Sequence, residues 1–184
     1  PENPEIYYQL DKATTALSEA SEFFNAPVIS GNVSLYNETP TGSIKPTPII
    51  STLGIKKNND TIIKSGFVKN NDLVYLLGAE NINLSEKTLL GSEYENYFCK
   101  SISGIPPINL EDEKKLHDIN RSLIKKKIIK SANDCSDGGL LSTIIEKCFL
   151  GNTGFKFTTE IDESLLIPSF FGEINSRIVV SIDT

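Results

Sequence analysis

Apolar residues recur at helical spacing over the first 24 positions of the chain. Asn3 is placed to cap a helix, Pro4 suits its first turn, and Glu5 suits the positive end of the helix dipole. Spacings of three and four then run through Ile6, Leu10, Ala13, Leu17, Ala20 and Phe24. This stripe predicts an amphipathic helix whose apolar side is buried.

Short apolar and β-branched runs bounded by Pro, Gly or Asp predict strands. The run "APVIS", residues 26–30, is expected to be a buried strand, and "PIISTLGI", residues 48–55, a second strand. Further along, "DLVYLLG", residues 72–78, predicts a strand, and "RIVVSI", residues 177–182, a central strand. The alternation in "GFKFTTEI", residues 154–161, is typical of a half-buried strand.

Two more helices are predicted between the later strands. In "EDEKKLHDINRSLIKK", Leu116, Ile119 and Leu123 share one face. The segment "SANDCSDGG" leads into the other helix. Its buried side is expected to consist of Leu140, Leu141, Ile144, Ile145, Cys148 and Phe149. Helices and strands alternate, and a polar stretch from about 58 to 71 is expected to connect two structural units, so the pattern predicts a layered α/β or α+β protein.

Composition excludes several classes of protein. Apolar content of 39% and charged content of 23% fit an ordinary globular chain. A formal charge of −6 argues against nucleic-acid and anionic-membrane partners, which require clustered Lys and Arg. The one basic cluster, "KKKIIK" at residues 125–130, is interpreted as the solvated tail of a helix. No apolar run approaches the roughly 18 residues that span a bilayer.

The cysteines and the single histidine carry little chemical signal. Cys99, Cys135 and Cys148 lack metal-ligand spacing, so we expect reduced thiols in a cytoplasmic protein. The first residues, "PENPE", do not resemble a signal peptide. His117 lies among charged residues and is expected to be exposed on a helix rather than part of a nucleophile system.

The loop "GNVSLYNETPTGSIKPTP", residues 31–48, is the first candidate site. Gly31 permits close backbone approach to a ligand, Asn32 offers a neutral oxygen that suits Mg²⁺, and Ser34 offers a hydroxyl donor. Asn37 and Glu38 are placed to orient the loop or to reach a metal indirectly. The alternative is a turn-rich excursion whose polar side chains bond their own backbone.

The start of the third helix is the second candidate. Asp134 and Asp137 run into Gly138 and Gly139, where free N–H groups form a natural anion site. The alternative is that Ser136 or Asp137 caps the helix while the glycines permit tight packing. Two carboxylates would also repel a phosphate unless a metal intervened.

The stretch "FFGEINSR" is the third candidate. Glu173 and Arg177 lie just before a buried strand, a position that suits a polar pair at the edge of a cleft. An ordinary surface salt bridge is the alternative. No Walker-type phosphate loop, GxGxxG motif or Cys/His metal set occurs in the sequence.

These stretches, in this order, resemble one enzyme family. "PVISGNVSLYNET" followed by "IKPTPIISTLG", and later "LLGSEY", "GIPPINLEDE", "NDCSDGGL" and "GEINSRIVVS", resemble phosphoribosylformylglycinamidine synthase, the glutamine-dependent amidoligase of purine biosynthesis. The likeness covers about residues 3–182 and is to the synthetase subunit of the small multi-subunit form. The Asp-Gly-Gly motif is shared across the wider superfamily of aminoimidazole ribonucleotide synthetase-like proteins.

The resemblance implies a fold and a reaction. The chain would belong to the second of two homologous halves, with residues 1–56 the end of an ATP-site-type domain and 57–63 a linker. Residues 64–184 would be most of a C-terminal-type domain with a mixed sheet and packed helices. The reaction would convert formylglycinamide ribonucleotide to formylglycinamidine ribonucleotide with ATP and Mg²⁺. A glutaminase subunit would supply ammonia, and a small accessory subunit would complete the complex.

Site residues follow from the resemblance position by position. Gly31 would contact ATP, Asn32 would bind Mg²⁺ and Ser34 would contact the substrate. The family's catalytic histidine, its ATP-binding lysine and its Mg²⁺-binding carboxylates come from the other half, so we expect no catalytic residue here and no activity of the chain alone. The stretch "GEINSR" departs from a Glu-Ser-Gln-type pattern at Ile174 and Asn175. The Asp-Gly-Gly helix start would then be an auxiliary phosphate site or a structural feature.

Two alternative functions stay open. One is a non-catalytic nucleotide-binding or structural half. The other is a different superfamily member, such as a thiamine-monophosphate kinase or a selenophosphate synthetase. The motif "GNVSLYNET" favours the purine enzyme.

Overall fold

A computed structural model of the chain describes residues 3–57, 60–78, 86–100, 104, 106, 108–158 and 160–184. The chain divides into two compact units, residues 1–56 and 57–184. The identity of these units as an ATP-site-type domain, a linker over 57–63 and a C-terminal-type domain from 64 stays a prediction.

The first unit contains the predicted N-terminal helix. Helix α1 spans Pro4–Phe23, and the Asn3 side chain accepts a hydrogen bond of 2.9 Å from the Glu5 N–H. The predicted cap and helix are therefore confirmed. All six positions of the apolar stripe are half-buried and no residue of α1 is fully buried, so the expected burial is only partial.

The two strands predicted in this unit are absent. Residues 26–30 and 48–55 have no regular structure, and Ile29 and Leu53 are exposed. The strands found among the described residues of this unit are β1, Glu38–Thr39, and β2, Gly42–Ser43, which form a short antiparallel hairpin. A β-branched run becomes a strand only when its backbone groups pair with a neighbouring strand, and no described residue forms a strand ladder with these runs.

A three-stranded sheet forms the centre of the second unit. Strands β3, Leu73–Gly78, β4, Ile129–Asp134, and β5, Arg177–Ile182, pair antiparallel in the order β3–β5–β4. Strand β5 is central and buries Val179 and Val180, as predicted for "RIVVSI". Parallel pairing among the described residues is limited to one isolated bridge between Lys64 and Ser131, so the predicted mixed sheet is largely antiparallel. Strand β4 was not predicted.

Four helices of the second unit are described together with short 3₁₀ turns at Glu86–Leu89 and Glu163–Leu165. They are α2, Glu93–Cys99, α3, Leu110–Lys125, α4, Gly139–Gly151, and α5, Leu166–Phe171. Helix α3 is capped by Asn109 and buries Leu116. The α+β class is confirmed. Only the beginning of the basic cluster is a helix tail, because Ile129 and Lys130 already belong to β4.

The buried face of α4 differs from the predicted one. Its buried residues are Gly139, Thr143, Ile144 and Lys147, whereas Phe149 is 83% exposed. A Cβ atom at Gly139 would lie only 2.7 Å from the Phe170 carbonyl oxygen, so the glycine allows α5 to approach the start of α4. Part of the predicted apolar face of α4, including Ile145 and Phe149, is exposed to solvent instead.

The strand predicted over residues 154–161 is absent from the described part of that range; Thr159 lies outside the described residues. Alternate aromatic residues pack on other rings instead. Phe155 stacks on Phe67 with ring centroids 6.0 Å apart, and Phe157 meets Phe170 edge-on at 5.1 Å. The period of two therefore reflects ring packing rather than strand pairing.

Candidate functional site

The first candidate loop, residues 31–48, lies exposed in the first unit; residues 31–37 have no regular structure, and the β1–β2 hairpin follows them. Gly31, Asn32 and Ser34 are all exposed. The Asn37 side-chain amide donates to the Ser34 carbonyl at 3.3 Å, and the Ile44 N–H donates to the Asn37 carbonyl at 3.2 Å. A Cβ atom at Gly31 would meet no atom within 4 Å, so packing within the described residues does not require glycine there.

The second and third candidate stretches come together in the second unit. Glu173 Oε1 accepts hydrogen bonds from the Gly138 N–H and from the Glu93 N–H, each at 2.8 Å. Gly138 is the N-cap of α4 and Glu93 begins α2, so one carboxylate oxygen joins two helix starts. The side chain predicted at a cleft edge thus lies on the backbone predicted to bind phosphate.

Backbone geometry explains both glycines at the start of α4. Gly138 has φ = 76° and Gly139 has φ = 70°, a left-handed conformation that favours glycine. The N-cap is Gly138, which has no side chain to accept from the helix N–H groups, so the alternative of a Ser136 or Asp137 cap is wrong. Ser136 instead donates its hydroxyl to the Asp134 carboxylate.

Arg177 is buried, with 4% of its surface exposed. Its Nε donates to the Ile174 carbonyl at 3.2 Å, and its Nη2 donates to the Gly172 carbonyl. It forms no ion pair with any described residue, so the alternative of a surface salt bridge with Glu173 is wrong. Burial lowers the pKa of the guanidinium, and the Cys135 thiolate form would oppose that shift.

A buried lysine that was not predicted lies on α4 and contacts β4. Lys147 is fully buried, and its Nζ donates to the Ser65 carbonyl at 2.6 Å and to Ser131 Oγ at 3.0 Å. Ser131 Oγ lies 2.8 Å from Ser181 Oγ, and the ammonium is 5.0 Å from the centre of the Phe67 ring. Burial lowers the pKa of Lys147 to about 8. The only indication of this burial in the sequence was that Lys147 follows Thr143 by four residues and Gly139 by eight, a spacing that places side chains on one face of a helix.

The cysteines were expected to be reduced thiols, and the single histidine was expected to be exposed on a helix. The three cysteines are free. His117 is half-exposed on α3, with its Nε2 2.9 Å from Glu113 Oε1. Among the described residues, no three His, Cys, Asp or Glu side chains are grouped so that they could hold a metal ion. None of the described helices is long and apolar enough to cross a membrane.

Comparison with known proteins identifies relatives of the whole chain. The family model described as AIR synthase related protein, C-terminal domain, matches residues 69–180. The chain is 40% identical to the phosphoribosylformylglycinamidine synthase subunit PurL of Thermomicrobium roseum, over 99% of this chain and 25% of that protein. It is 38% identical to the PurL of a Synechococcus strain, over 100% of this chain and 24% of that one. The chain thus spans about a quarter of the length of these relatives.

Solved structures give a partial likeness. The T. maritima PurL complexed with FGAR aligns with a TM-score of 0.48 at 17% identity, covering 68% of this chain and 22% of that one. The same protein complexed with ATP aligns with a TM-score of 0.47 at 15% identity.

Proposed function

The chain belongs to the family of AIR synthase related proteins, and from this premise we propose that it is part of a phosphoribosylformylglycinamidine synthase. The observation that carries the proposal is identity of 38–40% to named synthase subunits over 99–100% of this chain. That alignment includes the loop over residues 31–39 as well as the C-terminal domain. The whole synthase would convert formylglycinamide ribonucleotide to the amidine with ATP and glutamine.

The proposed chemistry turns an amide oxygen into a leaving group. The terminal phosphoryl group of ATP is transferred to the formyl amide oxygen of the substrate, which leaves ADP. Ammonia then adds to the carbon, and the C–O bond breaks with release of phosphate, which leaves the amidine. Ammonia would come from glutamine on a glutaminase subunit, so that subunit and a small accessory subunit are the proposed protein partners.

The loop residues would bind and orient Mg²⁺, ATP and the substrate rather than transfer protons. The Asn32 amide oxygen is a hard, uncharged ligand of the kind that Mg²⁺ accepts. A bound Mg²⁺ would neutralise charge on the phosphates of ATP. Asn32 supplies one ligand, so the others would come from ATP oxygens and from residues outside this chain. Ser34 would orient the substrate through its hydroxyl, and Gly31 would allow ATP to approach the backbone.

A second candidate is a non-catalytic nucleotide-binding or structural half. Of these two forms, the acidic surroundings of the α4 start favour the structural half, because Glu173 already occupies the Gly138 N–H. Under this alternative the chain would support the fold of the synthase without touching its reacting atoms. The chain by itself is expected to be inactive in either case. A cytoplasmic location is part of the same proposal.

Substitution of Asn32 tests the proposed Mg²⁺ ligand. In the complete synthase with its partner subunits, Asn32→Ala should lower glutamine-dependent turnover at least tenfold and raise the Mg²⁺ concentration needed for half-maximal rate. Circular dichroism should be unchanged, because Asn32 is exposed. Asn96→Ala, at an exposed position of α2, is the matched control. Wild-type turnover of Asn32→Ala at limiting Mg²⁺ would contradict the assignment.

Calorimetric titration of the chain with ATP and ADP, with and without Mg²⁺, separates the two candidates. The synthase proposal with its site shared between two halves predicts no tight binding by this chain alone. Tight, Mg²⁺-dependent binding would favour the independent nucleotide-binding half.

A further inference from the structure

We infer that Glu173 is an internal anion that keeps the start of α4 closed to external phosphate. Its Oε1 lies 2.8 Å from the nitrogen of Gly138, which is the N-cap of the helix. A phosphate oxygen that accepted from the same N–H would have to take the place of this carboxylate oxygen. The inference holds whether or not the proposed synthase function is correct.

Neighbouring contacts hold the Glu173 backbone in place. Arg177 donates to the carbonyls of Gly172 and Ile174, on either side of Glu173. Ser176 donates its hydroxyl to Glu113 on α3. Because the segment is anchored at both ends, the carboxylate reaches the two N–H groups without a large loss of backbone freedom.

Charge around the helix start favours the resident carboxylate over an added anion. Asp134, Asp137 and Glu93 lie on the segments that meet Glu173. A single carboxylate that accepts two backbone N–H bonds is a charge-assisted arrangement. A divalent phosphate would add negative charge to this acidic region, and its entry would leave the Glu173 carboxylate to find other donors. Glu173 therefore links the starts of α2 and α4 and excludes other anions from the Gly138 N–H.

The role of Glu173 is tested by titrating the 184-residue chain with inorganic phosphate while following the amide signals of Gly138 and Glu93 by ¹⁵N NMR. The wild-type chain should show no saturable shift at Gly138. Glu173→Ala removes the carboxylate, and Glu173→Asp shortens the side chain by one bond of about 1.5 Å, so that it no longer spans both N–H groups. Both variants should show a saturable Gly138 shift, with phosphate binding at least tenfold tighter than wild type.

Two further variants distinguish occupation of the Gly138 N–H by Glu173 from the general effect of negative charge on phosphate binding. Glu173→Gln keeps an oxygen acceptor but loses the charge, so its phosphate affinity should lie between wild type and Glu173→Ala. Glu160→Ala removes one exposed carboxylate elsewhere in the unit and should match wild type. A saturable Gly138 shift in wild type overturns the inference. So does any folded variant of Glu173 that binds phosphate no more tightly than Glu160→Ala.

Discussion

Lys147 places a cation among hydroxyl and carbonyl groups. It is fully buried, and its described partners are the Ser65 carbonyl, the Ser131 hydroxyl and the face of Phe67. Burial disfavours the charged form, which is why the pKa falls from 10.5 to about 8. A neutral amine keeps two N–H donors, enough for both hydrogen bonds. The native state therefore tolerates loss of the Lys147 proton better than the unfolded chain does.

This difference in proton binding predicts that stability rises with pH. Above pH 8 the unfolded chain holds the Lys147 proton while the native chain releases it, so the free energy of unfolding should increase by about 1 kcal/mol between pH 8 and 9. Burial raises the pKa of Cys135, which works in the opposite direction near pH 9. Urea unfolding of wild type and Lys147→Met at both pH values isolates the lysine.

In Lys147→Met the rise attributed to the lysine should disappear. Lys114→Met, at an exposed position of α3, should keep the wild-type dependence on pH. The same slope in wild type and in Lys147→Met would contradict the assignment.

At the scale of elements, the first residue of α4 packs closely on the end of α5. Gly139 combines a φ of 70° with carbonyl oxygens 2.7 and 2.8 Å from where its Cβ would lie. The oxygens belong to Phe170 and Gly172, so the start of α4 lies directly against the end of α5 and the segment that carries Glu173. The packing of α4 and the position of the Glu173 carboxylate thus depend on the same contact.

Gly139→Ala should lower the free energy of unfolding by about 2 to 4 kcal/mol, because it adds both a clash and a strained φ. Gly154→Ala is the matched control, since a Cβ there would meet nothing within 4 Å. It should change stability by less than about 0.5 kcal/mol. Equal effects of the two substitutions in chemical denaturation would show that α4 does not approach α5 this closely.

The burial pattern of α4 predicts losses of stability of very different size for substitutions of two of its apolar residues. Ile144 is 5% exposed, so Ile144→Ala should cost about 2 to 4 kcal/mol. Phe149→Ala should cost less than about 0.5 kcal/mol, because the ring is largely in solvent. Thermal unfolding of both variants measures the difference. A larger loss of stability for Phe149→Ala than for Ile144→Ala would indicate that Phe149 is buried, as the apolar pattern alone predicted.

At the scale of the whole molecule, the two units differ in how well they bury their apolar residues. The second unit has a sheet with buried Val179 and Val180 and helices packed on it. The described part of the first unit has no fully buried residue, and its β-branched runs stay in solvent. The relatives are about four times longer than this chain. Under the proposed function, assembly with the rest of a synthase is expected to lower the solvent exposure of Ile29 and Leu53.

The sequence by itself determined the elements whose signals are local. The cap at Asn3, helices α1 and α3 and the apolar runs of β3 and β5 depend on residues within a few positions of one another. The order of the helices, strands and motifs along the chain was enough to predict the α+β class and the family.

Tertiary structure decided what depends on residues far apart in the chain. Glu173 bonds to backbone 35 and 80 residues away, and Lys147 to a carbonyl 82 residues away. No local pattern encodes such contacts. Nor does β-propensity alone make residues 26–30 a strand, because a strand also requires a paired backbone neighbour.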